Sequence, residues 1–214
     1  EAYRDLHYTG WGYSFTGLEN WLEGHCKGID AQPVVLGAKW SSYVRSVRLT
    51  LAEKGIAFRC EAYRPHTAEI LAHNPFGRIP VLLNGKDKLF EASAIMRYVD
   101  QQFPGPRLVP INVLDAALME QWISLTTADF FPLLGHQFVL PQLQAKSGQT
   151  AELDTQLQSV KSQVEWQMNY IDQALRSQDF LVAGQITLAD LMLWPILDYV
   201  FRSPASVGFD TRYA

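Results

Sequence analysis

The chain has 214 residues, room for one large domain or two small ones with a sizeable core. Hydrophobic residues make up 48% and charged residues 19%, which excludes a disordered chain; 18 Lys and Arg against 22 Asp and Glu leave a formal charge of -4, without the basic footprint of a nucleic-acid binder. Cys26 and Cys60 sit in unrelated contexts and build neither a disulfide framework nor a metal site, so a reducing, cytoplasmic setting is expected.

Residues 1–32 are unlike the rest. Tyr3, Tyr8, Trp11, Tyr13, Phe15 and Trp21 are interleaved with Gly10, Gly12 and Gly17, the pattern of an irregular extension that lays its rings on something else. From Pro33 the order becomes readable. Val34-Val35-Leu36 is a short apolar strand. Tyr43 to Lys54 is a helix, with Val44, Val47 and Leu51 on one face and Gly55 at its end. Phe58, Cys60 and Ala62 alternate with polar neighbours as a half-buried strand, and a short helix lies near Thr67 to Ala72. Ile79 to Leu83 is a strand, Asn84-Gly85 a hairpin signal, Lys88-Leu89-Phe90 the return strand, and Ala94 to Gln101 a helix. The order β-α-β-α-β-β-α fits a small α/β domain over 33–101.

Pro104, Gly105, Pro106 and Pro110 mark a linker. Residues 114–214 read as all helical. Leu114, Leu118, Trp122 and Leu125 mark one helix; Leu153, Leu157, Val160, Val164, Ile171 and Leu175 mark a longer one with a core-facing seam. Thr187 and Asp190 form a capping box, Ile186 and Leu191 a hydrophobic staple, and Pro195 is expected to kink the helix they open. Asp190 reads as a folding residue.

No apolar run approaches the roughly 18–20 residues of a membrane span, and Glu-Ala-Tyr-Arg-Asp is unlike a signal peptide. The opening Glu1 suggests a processed form or a fragment. His7, His25, His66, His73 and His136 make no metal-ligand spacing, and nucleophile-elbow and phosphate-loop motifs are missing, so no metal is expected. Ser41 lies at the start of the first helix, where N–H groups are unpaired and the dipole is positive. A hydroxyl there either caps the helix or donates to an anion resting on its end.

A resemblance gathers these readings. Ser41-Ser42-Tyr43-Val44-Arg45-Ser46-Val47-Arg48-Leu49, then Glu53-Lys54-Gly55, resembles the first helix of serine-type glutathione S-transferases. Asn74-Pro75-Phe76-Gly77-Arg78-Ile79-Pro80, Phe90-Glu91-Ala92-Ser93-Ala94-Ile95 and Thr187-Leu188-Ala189-Asp190 resemble further motifs of that family, in order, and the flavour is phi-like or that of a related bacterial branch.

The resemblance implies a thioredoxin-like α/β domain followed by an all-α domain whose last helix is expected to be either absent or cut off in a fragment. It implies glutathione as co-substrate, a homodimer, and neither nucleic acid nor membrane as partner. It implies Ser41 as the donor that holds the glutathione sulfur as a thiolate, with Tyr43 as the rival donor. Glutathione would be held by Ser42, His66, Arg78, Ile79, Pro80, Glu91 and Ser93. Pro80 would be cis, turning the Ile79 backbone toward the cysteinyl part. His66 and Arg78 would lie near the glycine carboxylate, and Glu91 would begin the γ-glutamyl end. The family's Ser after that Glu is Ala92 here; Ser93 sits about 100° further round the helix. A hydrophobic electrophile would rest against Tyr43, Trp122, Phe130, Phe131 or Leu134, aromatics that are otherwise ordinary core residues. The alternative function is a non-catalytic module of the same fold used for protein association.

Overall fold

The computed structural model describes residues 32–145 and 150–203, so the aromatic extension up to residue 31 and the end of the chain lie outside the described residues. Two compact units divide the chain at Ile111 and Asn112.

The first unit carries β1 (Val34–Leu36), α1 (Ser42–Glu53), β2 (Arg59–Glu61), α2 (Ala68–Leu71), β3 (Val81–Asn84), β4 (Asp87–Phe90) and α3 (Ala92–Gln102). The sheet order is β2-β1-β3-β4. β1 runs parallel to β2, β3 antiparallel to both β1 and β4. This is the thioredoxin-like arrangement that the family resemblance implies. Strand alternation sorts the apolar residues onto two faces. Leu36 and Val81, paired across β1 and β3, cluster with Ile70 of α2. Val35 and Leu82 form the adjacent pair, turned to the other face and fully buried. α1 packs along α3.

Two differences from the sequence reading have local causes. Ile79 and Pro80 precede β3 instead of opening it. The hairpin loop is Gly85-Lys86 rather than Asn84-Gly85, because Asn84 pairs with Asp87. Tyr98 of α3 locks that register: its hydroxyl donates to Asp87 Oδ2 and accepts from Asn84 Nδ2, both at 2.9 Å.

The linker is anchored by a buried charge pair. Lys54 Nζ, just past α1, donates to Asp100 Oδ1 at 3.1 Å and to the carbonyls of Asp100 and Pro106, each at 3.0 Å. The Asp100 carboxylate accepts from the N–H groups of Leu108 at 2.8 Å and Val109 at 3.2 Å. Both charges are buried, and these extra bonds supply the partners that water would otherwise provide. Gly105, at φ +118°, lets the backbone pass here: a Cβ would lie 2.5 Å from the Lys54 carbonyl oxygen.

The second unit is helical: α4 (Val113–Leu125), a wide helix (Thr126–Val139), α5 (Leu140–Gln144), α6 (Ala151–Leu175) and α7 (Leu188–Arg202). Asn112 starts α4, its Oδ1 accepting from the N–H groups of Leu114 and Asp115. Of the stripe expected on α4, only Trp122 is buried. The buried face is Met119, Trp122 and Ile123, while Leu114 is 67% exposed. The helix is apolar nearly all round, so periodicity did not select its face. The wide helix runs on without a break and is wound with bonds five residues back, as from the Leu140 N–H to the Gly135 carbonyl; Pro132 lies inside it and has no N–H to donate. The seam of α6 is buried from Leu157 through Val160, Val164 and Ile171 to Leu175. α7 passes through Pro195 and continues to Arg202.

The start of α7 is as its sequence specifies. The capping box between Thr187 and Asp190 is formed on both sides. Asp190 is fully buried and accepts from Leu181 N–H at 2.9 Å, Thr187 N–H at 2.8 Å and the Thr187 hydroxyl at 2.8 Å. Asp190→Ala orphans two buried N–H groups at about 1–3 kcal/mol each. The variant is therefore expected to lose roughly 2–6 kcal/mol in denaturant unfolding of the full chain; a loss under about 1 kcal/mol would contradict this role.

Candidate functional site

Ser41 is the N-cap of α1, with extended backbone at φ -69° and ψ 126°. Its Oγ accepts from the Val44 N–H at 3.5 Å, and its carbonyl accepts from Arg45 N–H at 2.9 Å. Capping uses a lone pair of the oxygen. A hydroxyl also has one hydrogen to donate, so the capping and donating roles are compatible in one residue. Ser41 is half-buried. Ser42 is buried in the first turn, and its carbonyl accepts the Ser46 hydroxyl at 3.1 Å.

Tyr43, one position further into the helix, is half-buried. Burial pushes its phenol well above the usual tyrosine range; the negative charge of Glu91 adds to this, and Arg78 opposes it. Tyr43 thus stays a neutral phenol at physiological pH and feels both charges of the Arg78–Glu91 pair.

That pair is made by two loops. Arg78 Nη2 lies 2.7 Å from Glu91 Oε1, and both side chains are more than half exposed. The guanidinium also lies over the Phe76 ring, 5.4 Å from its centroid. Buried Asn74 shapes the loop that carries Arg78. Its Oδ1 accepts from Phe76 N–H at 3.0 Å, its Nδ2 donates to the Arg78 carbonyl at 2.8 Å, and its own carbonyl accepts from Gly77 N–H at 2.9 Å. The Gly77 carbonyl in turn accepts from His66 N–H at 2.7 Å. Gly77 is at φ +66°, and a Cβ there would run into the His66 ring. Only glycine admits the imidazole at this spot. The Ile79–Pro80 peptide bond is cis.

Glu91 stands immediately before α3, with its carbonyl accepting from Ile95 N–H at 3.0 Å. It is held at φ 69° and ψ 116°, a conformation that L residues seldom adopt. Ala92 is buried behind it and Ser93 is half-buried.

The structure therefore gathers His66, Arg78, Ile79, Pro80 and Glu91 around one pair of loops, with Tyr43 within electrostatic reach. Sequence reasoning quoted Asn74 and Gly77 as motif letters and missed their framing work; the Asn-Pro dipeptide and the following glycine were the available signal. The four aromatic and apolar positions of the helical unit behave differently. Trp122, Phe130 and Leu134 are buried. Trp122 packs with Phe130, centroids 6.1 Å apart, and with Tyr170 at 5.5 Å. Phe131 is half-buried, edge-on to His136 at 4.5 Å. Among the described residues, no group of three or more His, Cys, Asp or Glu is placed to hold a metal ion, and no helix is long and apolar enough to cross a membrane.

Comparison with known proteins bears on the family and the fold. Residues 36–107 match the family model described as glutathione S-transferase, N-terminal domain, and residues 123–213 match glutathione S-transferase, C-terminal domain. A stringent starvation protein A homolog of Pasteurella multocida is 26% identical over 161 residues, covering 74% of this chain and 70% of its own. Glutathione S-transferase F10 of Arabidopsis thaliana is 29% identical over 162 residues, covering 71% and 74%. Among solved structures, the theta class enzyme of Xanthomonas axonopodis pv. citri with glutathione bound is 25% identical at a TM-score of 0.71, over 81% of this chain and 84% of that one. Glutathione transferase F7 of Populus trichocarpa shares the fold at a TM-score of 0.69 and 24% identity, over 85% and 89%.

The strained turn at Glu91 yields a stability test. A non-glycine residue in such a conformation costs on the order of 1–3 kcal/mol, and glycine gives back roughly 0.5–1 kcal/mol through chain entropy. Glu91→Gly is expected to unfold at higher denaturant by about 1 kcal/mol, with Glu91→Ala showing no such gain. Equal midpoints for the two variants would show that the turn is unstrained.

Proposed function

This chain belongs to the glutathione S-transferase family, and we propose that it holds the glutathione thiol as a thiolate for attack on a hydrophobic electrophile. The observation that carries this reading is the Ser41 hydroxyl at the head of α1.

A free thiol titrates near 8.5, and the thiolate is the nucleophile. Lowering that value by about two units takes about 2.7 kcal/mol of preference for the anion. A hydrogen bond to a charged group supplies about 1.5–3 kcal/mol, and a helix N-terminus adds about 0.3–1 kcal/mol. The two together reach the required size. Ser41 acts as a donor throughout and is never the nucleophile. The sulfur forms a bond to the electrophilic carbon, the leaving group departs with its electron pair, and the thiol proton passes to solvent.

The other residues hold the tripeptide. The Ile79 N–H and C=O pair with the backbone of the cysteinyl part, as an added strand would. Glu91 and Ser93 meet the γ-glutamyl end, Ser42 lies beside the sulfur donor, and His66 and Arg78 offer donors to the tripeptide's carboxylates. Of the positions assigned to the electrophile, Tyr43 and Phe131 retain exposed surface, whereas Trp122, Phe130 and Leu134 serve the helical core. Detoxification in the cytoplasm as a homodimer is the setting this chemistry fits.

A second reading, a non-catalytic module for protein association, is favoured by Ala92, where the family's hydroxyl is missing. Glutathione-affinity resin separates the two: retention is expected, and free passage supports association.

Ser41→Ala tests the donor directly. With a chlorinated dinitrobenzene as electrophile, kcat/KM at pH 6.5 is expected to fall roughly 10- to 150-fold, the equivalent of one hydrogen bond to an anion. Without the donor the bound thiol titrates higher, so the thiolate population and the rate recover as pH rises toward 9. A variant with unaltered turnover across that range would overturn the assignment.

A further inference from the structure

We propose that Asn84–Gly85, at the tip of the hairpin between β3 and β4, is a self-modification site: the Gly85 nitrogen attacks the Asn84 side chain, and the carboxylate that replaces the amide loosens the hairpin from α3 in one direction only.

The reacting groups stand together at the tip. Asn84 is the last residue of β3 and pairs with Asp87 of β4. Gly85 lies just outside the ladder, exposed, at φ +58°. Among the described residues, no atom lies within 4 Å of where a Gly85 Cβ would stand, so the flank of this residue is open to water. An asparagine side chain reaches the backbone of the residues that follow it, and glycine has no side chain to obstruct the approach. The Gly85 nitrogen forms a bond to Asn84 Cγ, and Nδ2 leaves as ammonia, carrying the Gly85 proton. Water then opens the five-membered imide at either carbonyl. One opening gives aspartate; the other gives isoaspartate, with the chain routed through the side-chain methylene. Water is the one co-reactant, and nothing is oxidised or reduced. The other asparagines lack this neighbour. Asn20 precedes Trp21, Asn74 precedes Pro75, which has no N–H, and Asn112 precedes β-branched Val113. Asn169 precedes Tyr170 inside α6, where backbone N–H groups are engaged in the helix.

The change falls on the contact that ties the hairpin to α3. The Tyr98 hydroxyl accepts from Asn84 Nδ2 and donates to Asp87 Oδ2, both at 2.9 Å. An amide nitrogen donates, whereas a carboxylate only accepts. After the change, carboxylates at the paired positions 84 and 87 compete for one phenol hydrogen. Like charges directly opposite each other on a hairpin destabilise it. Lys86 and Lys88 flank Asp87 but are exposed, where solvent screening limits what they offset. Burial and the Asp87 carboxylate push the Tyr98 phenol above the usual tyrosine range, and the bond from Asn84 opposes them. Its loss removes that opposition. In the isoaspartyl product the extra backbone atom also breaks the register of β3 with β4. Glu91 and its positive-φ turn lie between β4 and α3, inside the loop that this contact closes.

Peptide mapping of the full chain tests the chemistry. The folded protein is held in warm, mildly alkaline buffer for as long as the urea-unfolded chain takes to lose this amide. The tryptic peptide from Ile79 to Lys86 is then expected to split into amide, aspartyl and isoaspartyl forms, while the peptides holding Asn74, Asn112 and Asn169 keep their amides. Thermal unfolding tests the consequence. Asn84→Asp, which makes the aspartyl product directly, is expected to lower the midpoint by roughly 2–4 °C, the shift that loss of one ordinary hydrogen bond gives a chain of this size. In a Tyr98→Phe background, where the contact is already gone, the same substitution is expected to cost less. An Asn84 amide that outlasts the incubation in the folded chain overturns the proposal. So does Asn84→Asp with an unaltered midpoint, or with the same shift in both backgrounds.

Discussion

The Ser41 hydroxyl has a single hydrogen, and its part in the fold uses an oxygen lone pair. The N–H of Val44 is accepted by that oxygen, so α1 begins where it does because a small hydroxyl residue stands there with extended backbone. The same act aims the helix head, with its unpaired N–H groups, at the space beside the hydroxyl. An alanine would remove cap and donor together; a cysteine would replace a neutral donor with a competing thiol. The chemistry proposed for this chain is an extension of the way its first helix starts.

Around that point the α/β unit holds its polar groups through backbone arrangements that side-chain identity alone does not reveal. Asn74 spends no atom on solvent: both ends of its amide and its carbonyl shape the loop that carries Arg78. Gly77 gives His66 its place by having no Cβ. Glu91 is held at positive φ while its carbonyl opens α3, which brings its side chain to Arg78. A strained turn of this kind persists when the surroundings over-determine it. Here α3 is tied to the hairpin through Tyr98 and to the linker through Asp100, both in the second half of the helix that Glu91 precedes.

The helical unit makes the contrast. Its aromatic positions are mutual partners before they are anything else: Trp122, Phe130 and Tyr170 form one packed group, with Trp166 stacked on the outside at 5.9 Å from Tyr170. Asp190 likewise serves the fold, joining Leu181 to the head of α7. A buried carboxylate that accepts from several donors is a structural fastening.

The sequence by itself determined the element order, the short apolar strands, the capping box at Thr187 and Asp190, and Ser41 at a helix head, because each is a local pattern read within a few residues. It also exposed the departure at Ala92, since a missing hydroxyl is visible as a letter. Tertiary structure alone decided which side of α4 is buried, because a helix apolar all round carries no stripe to read. It decided the wide winding through Pro132, which depends on bonds five residues back. It also decided that Arg78 faces Glu91, because those residues stand on separate loops, and only the fold that brings the loops together makes the two charges one pair.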